Sequence, residues 1–296
     1  MRTVFLGTSE FGAAVLRRLA ASQHRPALVV TRPDRPRGRG RRLASPPVAD
    51  AARELGIELD QPASVNDPEA RARIARSAPE VVCVCAFGAL IKEPLLSEHP
   101  MLNVHPSLLP RWRGAAPVER ALMAGDEQTG VSIMRVTAGL DSGPVCLQGA
   151  EPIGPEDTYG SLASRLWELG GELLVRALAE SPACAEQDET LATYAEKITA
   201  ADRALDPARP AAELERVVRA LTPHIGAYAE LQDGTRLGVS GARALPEAAD
   251  GAGRIIVLDG RAPALVCDEG VLLLLTVKPA GRREMSGEDW LRGWQR

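Results

Sequence analysis

The 296-residue chain predicts an α/β fold: an open, mostly parallel N-terminal sheet followed by a small C-terminal β-barrel. Three observations carry this. The N-terminal part alternates short β-rich runs with stretches of helical spacing. Glu80–Ala86 (EVVCVCA) is a continuous apolar run, the type buried on both faces of a parallel sheet. From Tyr228 onward the runs YAEL, RLGV, GRIIVL, ALVCD and VLLLLTV are broken by Gly, Asp or Pro about every 8–12 residues, as in a small barrel.

Thr3–Gly7 reads as a strand. Phe11, Val15, Leu16 and Leu19 follow at helical spacing, and Ala27–Val30 reads as a second strand. The intervening G-T-S-E-F-G lacks the second glycine of the dinucleotide fingerprint, so a tight strand-to-helix turn is expected rather than a nicotinamide site. Ser45–Gly56 and Asp67–Ala78 read as helices, each opening with proline near its first turn. Ile91–Glu98 reads as a short helix, Met101–Val104 as a strand, Val131–Val136 and Pro144–Gln148 as two more, and Thr158–Leu178 as a long helix. Small and acidic residues then dominate Ala179–Leu205, which reads as a linker. Ala211–Leu221 is an amphipathic helix leading into the β-rich part. The expected division is residues 1–184, a linker over 185–206, and residues 207–296.

Hydrophobic residues make up 45% of the chain and the net charge is −4. A sizeable core is affordable, and any basic surface must be local. The longest apolar run, VLLLLTV, is far too short to span a bilayer, and the start, MRTVFLGTSE, shows no apolar leader pattern. Five cysteines with no CxxC pair argue against a disulfide framework and a cysteine zinc site. Cys83 and Cys85 read as buried small hydrophobes. A reducing cytoplasmic setting and no metal are expected.

Thr31–Leu43 (TRPDRPRGRGRRL) holds Arg32, Arg35, Arg37, Arg39, Arg41 and Arg42 against the single acid Asp34. Interleaved Pro and Gly argue against helix and strand, so an exposed loop is expected. Self-repulsion of six like charges suggests a polyanionic partner, each arginine neutralising a phosphate; the alternative is a solvated charge run. A second, smaller basic cluster is Lys278, Arg282 and Arg283.

The stretch Met101–Leu122 (MLNVHPSLLPRWRGAAPVERAL) carries the candidate chemistry. Residues two apart on a strand share a face, so Asn103 and His105 point the same way. Asp141 follows in AGLDSGP. Acyl transfer to an amine needs a donor for the developing oxyanion, a route for the amine proton, and alignment of the two groups. The Asn103 amide supplies the first. The His105 imidazole can donate to the same oxygen or shuttle a proton, since an unperturbed imidazole changes charge near neutral pH. Asp141 can orient the ring and receive the amine proton. The residues alone also allow Asn-x-His as ordinary strand spacing and Asp141 as a turn former.

NVHPSLLPRWRGAAPVERALMAGD followed by TGVSIMRVTAGLDSGP closely resembles the formyltransferase family that uses 10-formyltetrahydrofolate. FLGTSEFGA, TRPDRPRGRGRRL, DETLATYAEKIT and KPAGRREMS resemble its methionyl-tRNA branch almost end to end. The family's Asn, His and Asp fall on Asn103, His105 and Asp141 as catalytic residues, and its folate-contacting SLLP falls on Ser107, Leu108, Leu109 and Pro110. Two departures are Ser9-Glu10 for the more usual Pro-Asp and Pro106 where glycine is frequent; the chain also ends soon after Trp290, which the resemblance reads as a shortened tail. The resemblance implies a Rossmann-like formyltransferase domain and a C-terminal OB-like tRNA-binding domain. It further implies 10-formyltetrahydrofolate as donor, methionyl initiator tRNA as acceptor, and a cytoplasmic monomer away from membranes. Arg32, Arg35, Arg37, Arg39, Arg41 and Arg42, with Lys278, Arg282 and Arg283, would contact tRNA. Two alternatives remain open: the same chemistry on an amino-sugar nucleotide or other small amine, and a non-catalytic tRNA-binding relative.

Overall fold

The computed structural model describes residues 1–37 and 42–294 and divides them into two compact units. The first comprises Met1–Gly114, Gln128–Pro152 and Ala163–Tyr194; the second comprises Ala115–Glu127, Ile153–Leu162 and Ala195–Arg296.

The first unit is built on β1 (Thr3–Gly7), β2 (Pro26–Val30), β5 (Glu58–Asp60), β6 (Val81–Cys85), β7 (Met101–His105), β8 (Gln128–Arg135) and β9 (Val145–Pro152), with a short hairpin of β3 (Arg35–Arg37) and β4 (Arg42–Ala44) standing apart. The main sheet runs β9-β8-β7-β6-β1-β2-β5. Its five strands from β5 to β7 are parallel, and β8 and β9 close one side antiparallel. The expected open, mostly parallel sheet is therefore present. The apolar runs behave as double-faced strands should: Val4, Leu6, Leu28, Val30, Val82 and Val84 pack into one cluster with Ile74 of the helix Pro68–Arg76, while Phe5, Val29, Cys83 and Cys85 alternate with them and are equally buried. Burial holds the Cys83 thiol up at about 12, so both strand cysteines act as small hydrophobes, as expected.

The G-T-S-E-F-G turn is a packing device. α1 (Glu10–Ala20) starts at Ser9, whose hydroxyl accepts from the Gly12 N–H. A Cβ at Gly7 or at Gly12 would sit 2.9 Å from the Cys85 carbonyl, closer than a side chain tolerates. These glycines let helix and strand approach.

Three sequence expectations need correction. The arginine-rich stretch contains strand: Arg35, Pro36 and Arg37 pair with Ala44, Leu43 and Arg42. A two-stranded ribbon has two free edges, so Pro36 can occupy a position whose N–H the ladder does not require. Ile91–Glu98 is helical only over Leu95–Glu98, because Pro94 inside the run cannot continue a helix. Finally, Cys146 and Cys184, 38 residues apart, are joined in a disulfide; each sits beside the antiparallel bridge between Val145 and Ala185, a tertiary closeness that spacing does not reveal.

The second unit carries an antiparallel sheet ordered β10 (Ala227–Glu230), β11 (Arg236–Leu245), β14 (Val271–Lys278), β13 (Ala262–Val266) and β12 (Ile255–Leu258), with β15 (Met285–Ser286) added to β14. The helix Ala211–Leu221 buries Leu214, Val217, Val218 and Leu221, a stripe at i, i+3, i+4 and i+7, against Leu237, Val239, Leu272, Leu274 and Trp290. The expected small β domain is present as this sheet. Among the described residues no helix is long and apolar enough to cross a membrane.

Candidate active site

The candidate chemistry sits at the C-terminal end of β7, which pairs parallel with β6 on one side and antiparallel with β8 on the other. Asn103 lies opposite Val84 and Met134, and His105 opposite Ser132. Asn103 is half-buried, and its side chain bonds to no protein group among the described residues. A polar amide kept at the end of a core strand with unused donors is a group available to a ligand.

His105 is only 4% exposed. Its Nε2 lies 2.9 Å from the Trp112 carbonyl, which can only accept, so Nε2 carries the hydrogen. That leaves Nδ1 as the nitrogen where a proton can come and go. Asp141 Oδ2 stands 3.6 Å from Nδ1, too far for a direct hydrogen bond. The three residues predicted from sequence therefore lie together: the pair on one strand face, with the carboxylate across from the ring.

Asp141 is held in an uncommon backbone conformation, φ 46°, and so is Trp112, φ 62°. Such left-handed geometry costs about 1–3 kcal/mol at a non-glycine residue and is kept where surroundings over-determine it. The surroundings are visible. Oδ2 of Asp141 accepts the Gly114 N–H at 2.9 Å, and Gly114 itself needs glycine at φ 120°. The Trp112 N–H donates to Thr193 Oγ1 at 2.9 Å.

The Ser107–Pro110 turn is pinned from beneath. Ser107 is fully buried and its hydroxyl donates to the Arg111 carbonyl at 2.7 Å. Ser132 Oγ donates to the Ser107 carbonyl at 2.6 Å and accepts the Leu109 N–H at 3.0 Å. Gln148 donates to the Leu109 carbonyl and to Ser132 Oγ, both at 2.9 Å. Ser107 and Leu109 are buried, Leu108 and Pro110 half-buried. Leu109 and Pro110 line a cavity of about 390 Å³ together with Cys146, Gln148, Gln187 and Asp188. A cavity of about 370 Å³ lies at the other ends of the strands, against Val81, His99 and Met101, and holds none of the expected residues.

Sequence reasoning missed the segment after Cys184, read as linker. It crosses the site as a strap. Ala185 bridges to Val145 through two backbone bonds, 2.8 and 2.9 Å. Gln187 donates to the carbonyls of Asp141, at 2.8 Å, and Gly143, at 2.7 Å. Arg113, 1% exposed, donates to Gln187 Oε1 from Nε and Nη2 and to both carboxylate oxygens of Glu189 at 2.8 Å. The Glu189 contact raises the Arg113 guanidinium above its ordinary value and lowers Glu189. No local pattern could have flagged Gln187, which lies 46 positions from Asp141 in a polar stretch.

Of the expected basic residues, Arg32 donates to the Gly88 carbonyl at 3.0 Å, and Arg35 is exposed with no side-chain partner among the described residues. Arg37 and Arg42 face each other in register across the hairpin; Arg39 and Arg41 lie outside the described residues. In the second unit, Lys278, Arg282 and Arg283 are exposed at the end of β14 and the turn beyond it. Among the described residues no three His, Cys, Asp or Glu side chains are grouped so as to hold a metal ion.

Two family models match the chain in sequence order. Residues 1–178 match the family model "Formyl transferase", and residues 197–295 match "Formyl transferase, C-terminal domain". A methionyl-tRNA formyltransferase of Halorhodospira halophila is 44% identical over 99% of this chain and 96% of its own length. One from Methylococcus capsulatus is 42% identical over 98% and 96%. An N-formyltransferase from Helicobacter canadensis, solved with folinic acid and dTDP-3-aminofucose, shares the fold with a TM-score of 0.68 at 13% identity, covering 93% of this chain and 98% of that one. Two family models in chain order and relatives aligned almost end to end leave one conclusion: the chain belongs to the formyl transferase family, among the methionyl-tRNA formyltransferases.

Proposed function

We propose that this chain transfers the formyl group of 10-formyltetrahydrofolate to the α-amine of methionyl initiator tRNA, yielding the N-formylmethionyl-tRNA used to start translation. The observation that carries the reading is the near full-length identity to methionyl-tRNA formyltransferases, in a chain that keeps Asn103, His105 and Asp141 at one strand end.

The chemistry assigns each residue a task. As the amine attacks the formyl carbon, the carbonyl oxygen becomes an oxyanion, and the unused Asn103 donors are available to it. His105, held by the Trp112 carbonyl with Nδ1 facing Asp141, takes up the amine proton through Nδ1, and Asp141 stabilises the charged ring. The bond from the formyl carbon to folate N10 then breaks, and N10 leaves with a proton from the ring. The folate is assigned to the turn Ser107, Leu108, Leu109 and Pro110, with Ser107 acting through the turn's shape because its hydroxyl is spent internally. The acceptor phosphates are assigned to Arg32, Arg35, Arg37, Arg39, Arg41 and Arg42, with Lys278, Arg282 and Arg283 as a second contact. The division into residues 1–184 for catalysis, 185–206 as linker and 207–296 for tRNA, a monomeric state and a cytoplasmic location belong to the same reading.

The test is formylation of charged initiator tRNA with the folate donor. Formyl-methionine is expected, and Asp141→Asn should lower kcat by about 10²–10⁴, the range of lost acid–base assistance. No product where a control enzyme works would sink the reading, and preferential formylation of an amino-sugar nucleotide would redirect it to the small-amine branch.

A further inference from the structure

We infer that Gln187 is a positioning residue for the reaction, setting the place of Asp141 by clamping the loop that carries it. The inference rests on the proposed role of Asp141.

The loop needs an external anchor. Residues 137–140 are exposed, Leu140 at 65%, and Asp141 is held at φ 46°. Besides the Gly114 N–H on Oδ2, the loop is tied by the Arg135 N–H to the Pro144 carbonyl at 2.9 Å. Neither holds the peptide carbonyls of Asp141 and Gly143. Gln187 Nε2 does, at 2.8 and 2.7 Å.

The requirement for a carboxamide follows from valence. On one side stand two carbonyl oxygens, which only accept. On the other stand Nε and Nη2 of Arg113, which only donate, at 3.0 and 2.8 Å from Oε1. A group between them needs two N–H donors and one oxygen with two lone pairs, and a primary amide has these on adjacent atoms. A carboxylate would turn acceptors against acceptors, and an ammonium would face a guanidinium.

The clamp is itself held. Arg113 is buried, takes Glu189 bidentately, and donates its backbone N–H to the Thr193 carbonyl at 2.9 Å. Gly114, the next residue, supplies the N–H on Asp141 Oδ2. Gln187 thus links the two sides of the carboxylate: the peptide behind it and the residue preceding the donor in front of it. A shift of an ångström in a reacting group can cost about 10²-fold in rate, so a rigid clamp here acts on turnover.

Gln187→Glu keeps the size and removes both donors; Gln187→Met removes all polar contacts. Formylation of charged initiator tRNA by folded Gln187→Glu is expected to show kcat lowered about 10- to 100-fold, KM for both substrates within about twofold, and a pH profile of kcat that is displaced. Simple loss of folded enzyme would scale that profile without moving it. If Gln187→Glu fails to fold, Gln187→Met carries the same test; failure of both to fold, an unchanged kcat, or an unmoved pH profile overturns the inference. Asp141→Asn separates the two claims. A wild-type rate for Asp141→Asn would overturn the role of Asp141 itself, whereas a slow Asp141→Asn beside fully active Gln187 variants would overturn only the role of Gln187.

Discussion

Arg113 and Arg35 lie in the same unit, each beside other arginines in sequence, and they do opposite things. Arg113 is 1% exposed and spends its guanidinium on Gln187 and Glu189. Arg35 is exposed and spends its side chain on nothing described. The difference lies in what the chain returns to each. Arg113 meets a strap that comes back 74 to 76 positions later with an amide and a carboxylate. The stretch from Arg32 to Arg42 offers only Asp34 among six arginines. An inward arginine organises the protein; an outward one without an internal partner leaves its charge available to a ligand. Arg120 in the second unit stands between them, paired to Asp202 at 2.7 Å with both side chains about one-fifth exposed. Burial should rank the three.

Removing Arg113 is the largest expected effect. Arg113→Ala deletes a buried side chain and leaves Gln187 Oε1 without its donors. An acceptor left without its donors costs about 1–3 kcal/mol, and the upper part of that range is expected because the lost side chain is itself buried, while the Glu189 side chain, 67% exposed, stays hydrated when its partner goes. Denaturant unfolding of Arg113→Ala measures this, with Arg35→Ala as the control expected within about 0.5 kcal/mol of wild type. Equal stability of the two variants would break the comparison.

The Arg120–Asp202 pair predicts a pH dependence of intermediate size. Arg120 holds the Asp202 carboxyl down at about 2, from an ordinary 3.8. A depressed carboxylate stabilises the fold above its unfolded value, and that contribution fades as pH falls from about 4 toward about 2. Its full size is at most about 2 kcal/mol. Arg120→Ala should therefore lose stability at neutral pH and converge with wild type in strong acid. A stability difference unchanged between pH 6 and pH 2 would show that the pair contributes through packing instead.

The contrast also explains what could be read in advance. The strands were legible because their apolar runs are continuous, as in Val81–Cys85, and the candidate trio because Asn103 and His105 share one strand and Asp141 one short loop. The helix Ala211–Leu221 was legible to the residue because its stripe and its preceding proline coincide with its ends. The strap was not. Gln187 and Glu189 look like any polar connector, and their work depends on Arg113, Asp141 and Gly143 arriving from far away in sequence. The Cys146–Cys184 closeness failed to show for the same reason. The Arg35–Ala44 hairpin was hidden differently: Pro36 suppresses a strand reading that a free-edged ribbon tolerates.

Arg35 itself gives the smallest effect and the sharpest test of the outward class. A guanidinium with no internal partner can neutralise a phosphate without first breaking anything, so it contributes affinity through the release of condensed counterions. Each such contact adds somewhat less than one unit, about 0.7–0.9, to the slope of log affinity against log salt. Arg35→Glu should therefore weaken tRNA binding by a modest factor at low salt, flatten the salt slope by roughly one unit or slightly more because the sign is reversed, and leave kcat at saturating tRNA unchanged. The parallel reversal of Arg39 and Arg41 should flatten it further. Arg113 makes the opposite prediction. Its charge is neutralised within the fold, so any folded variant at that position should keep the wild-type salt slope while losing turnover through the Asp141 loop. Titrating tRNA binding across a salt series for both variants decides it: a slope that changes for Arg113 and not for Arg35 would reverse the assignment of the two stretches.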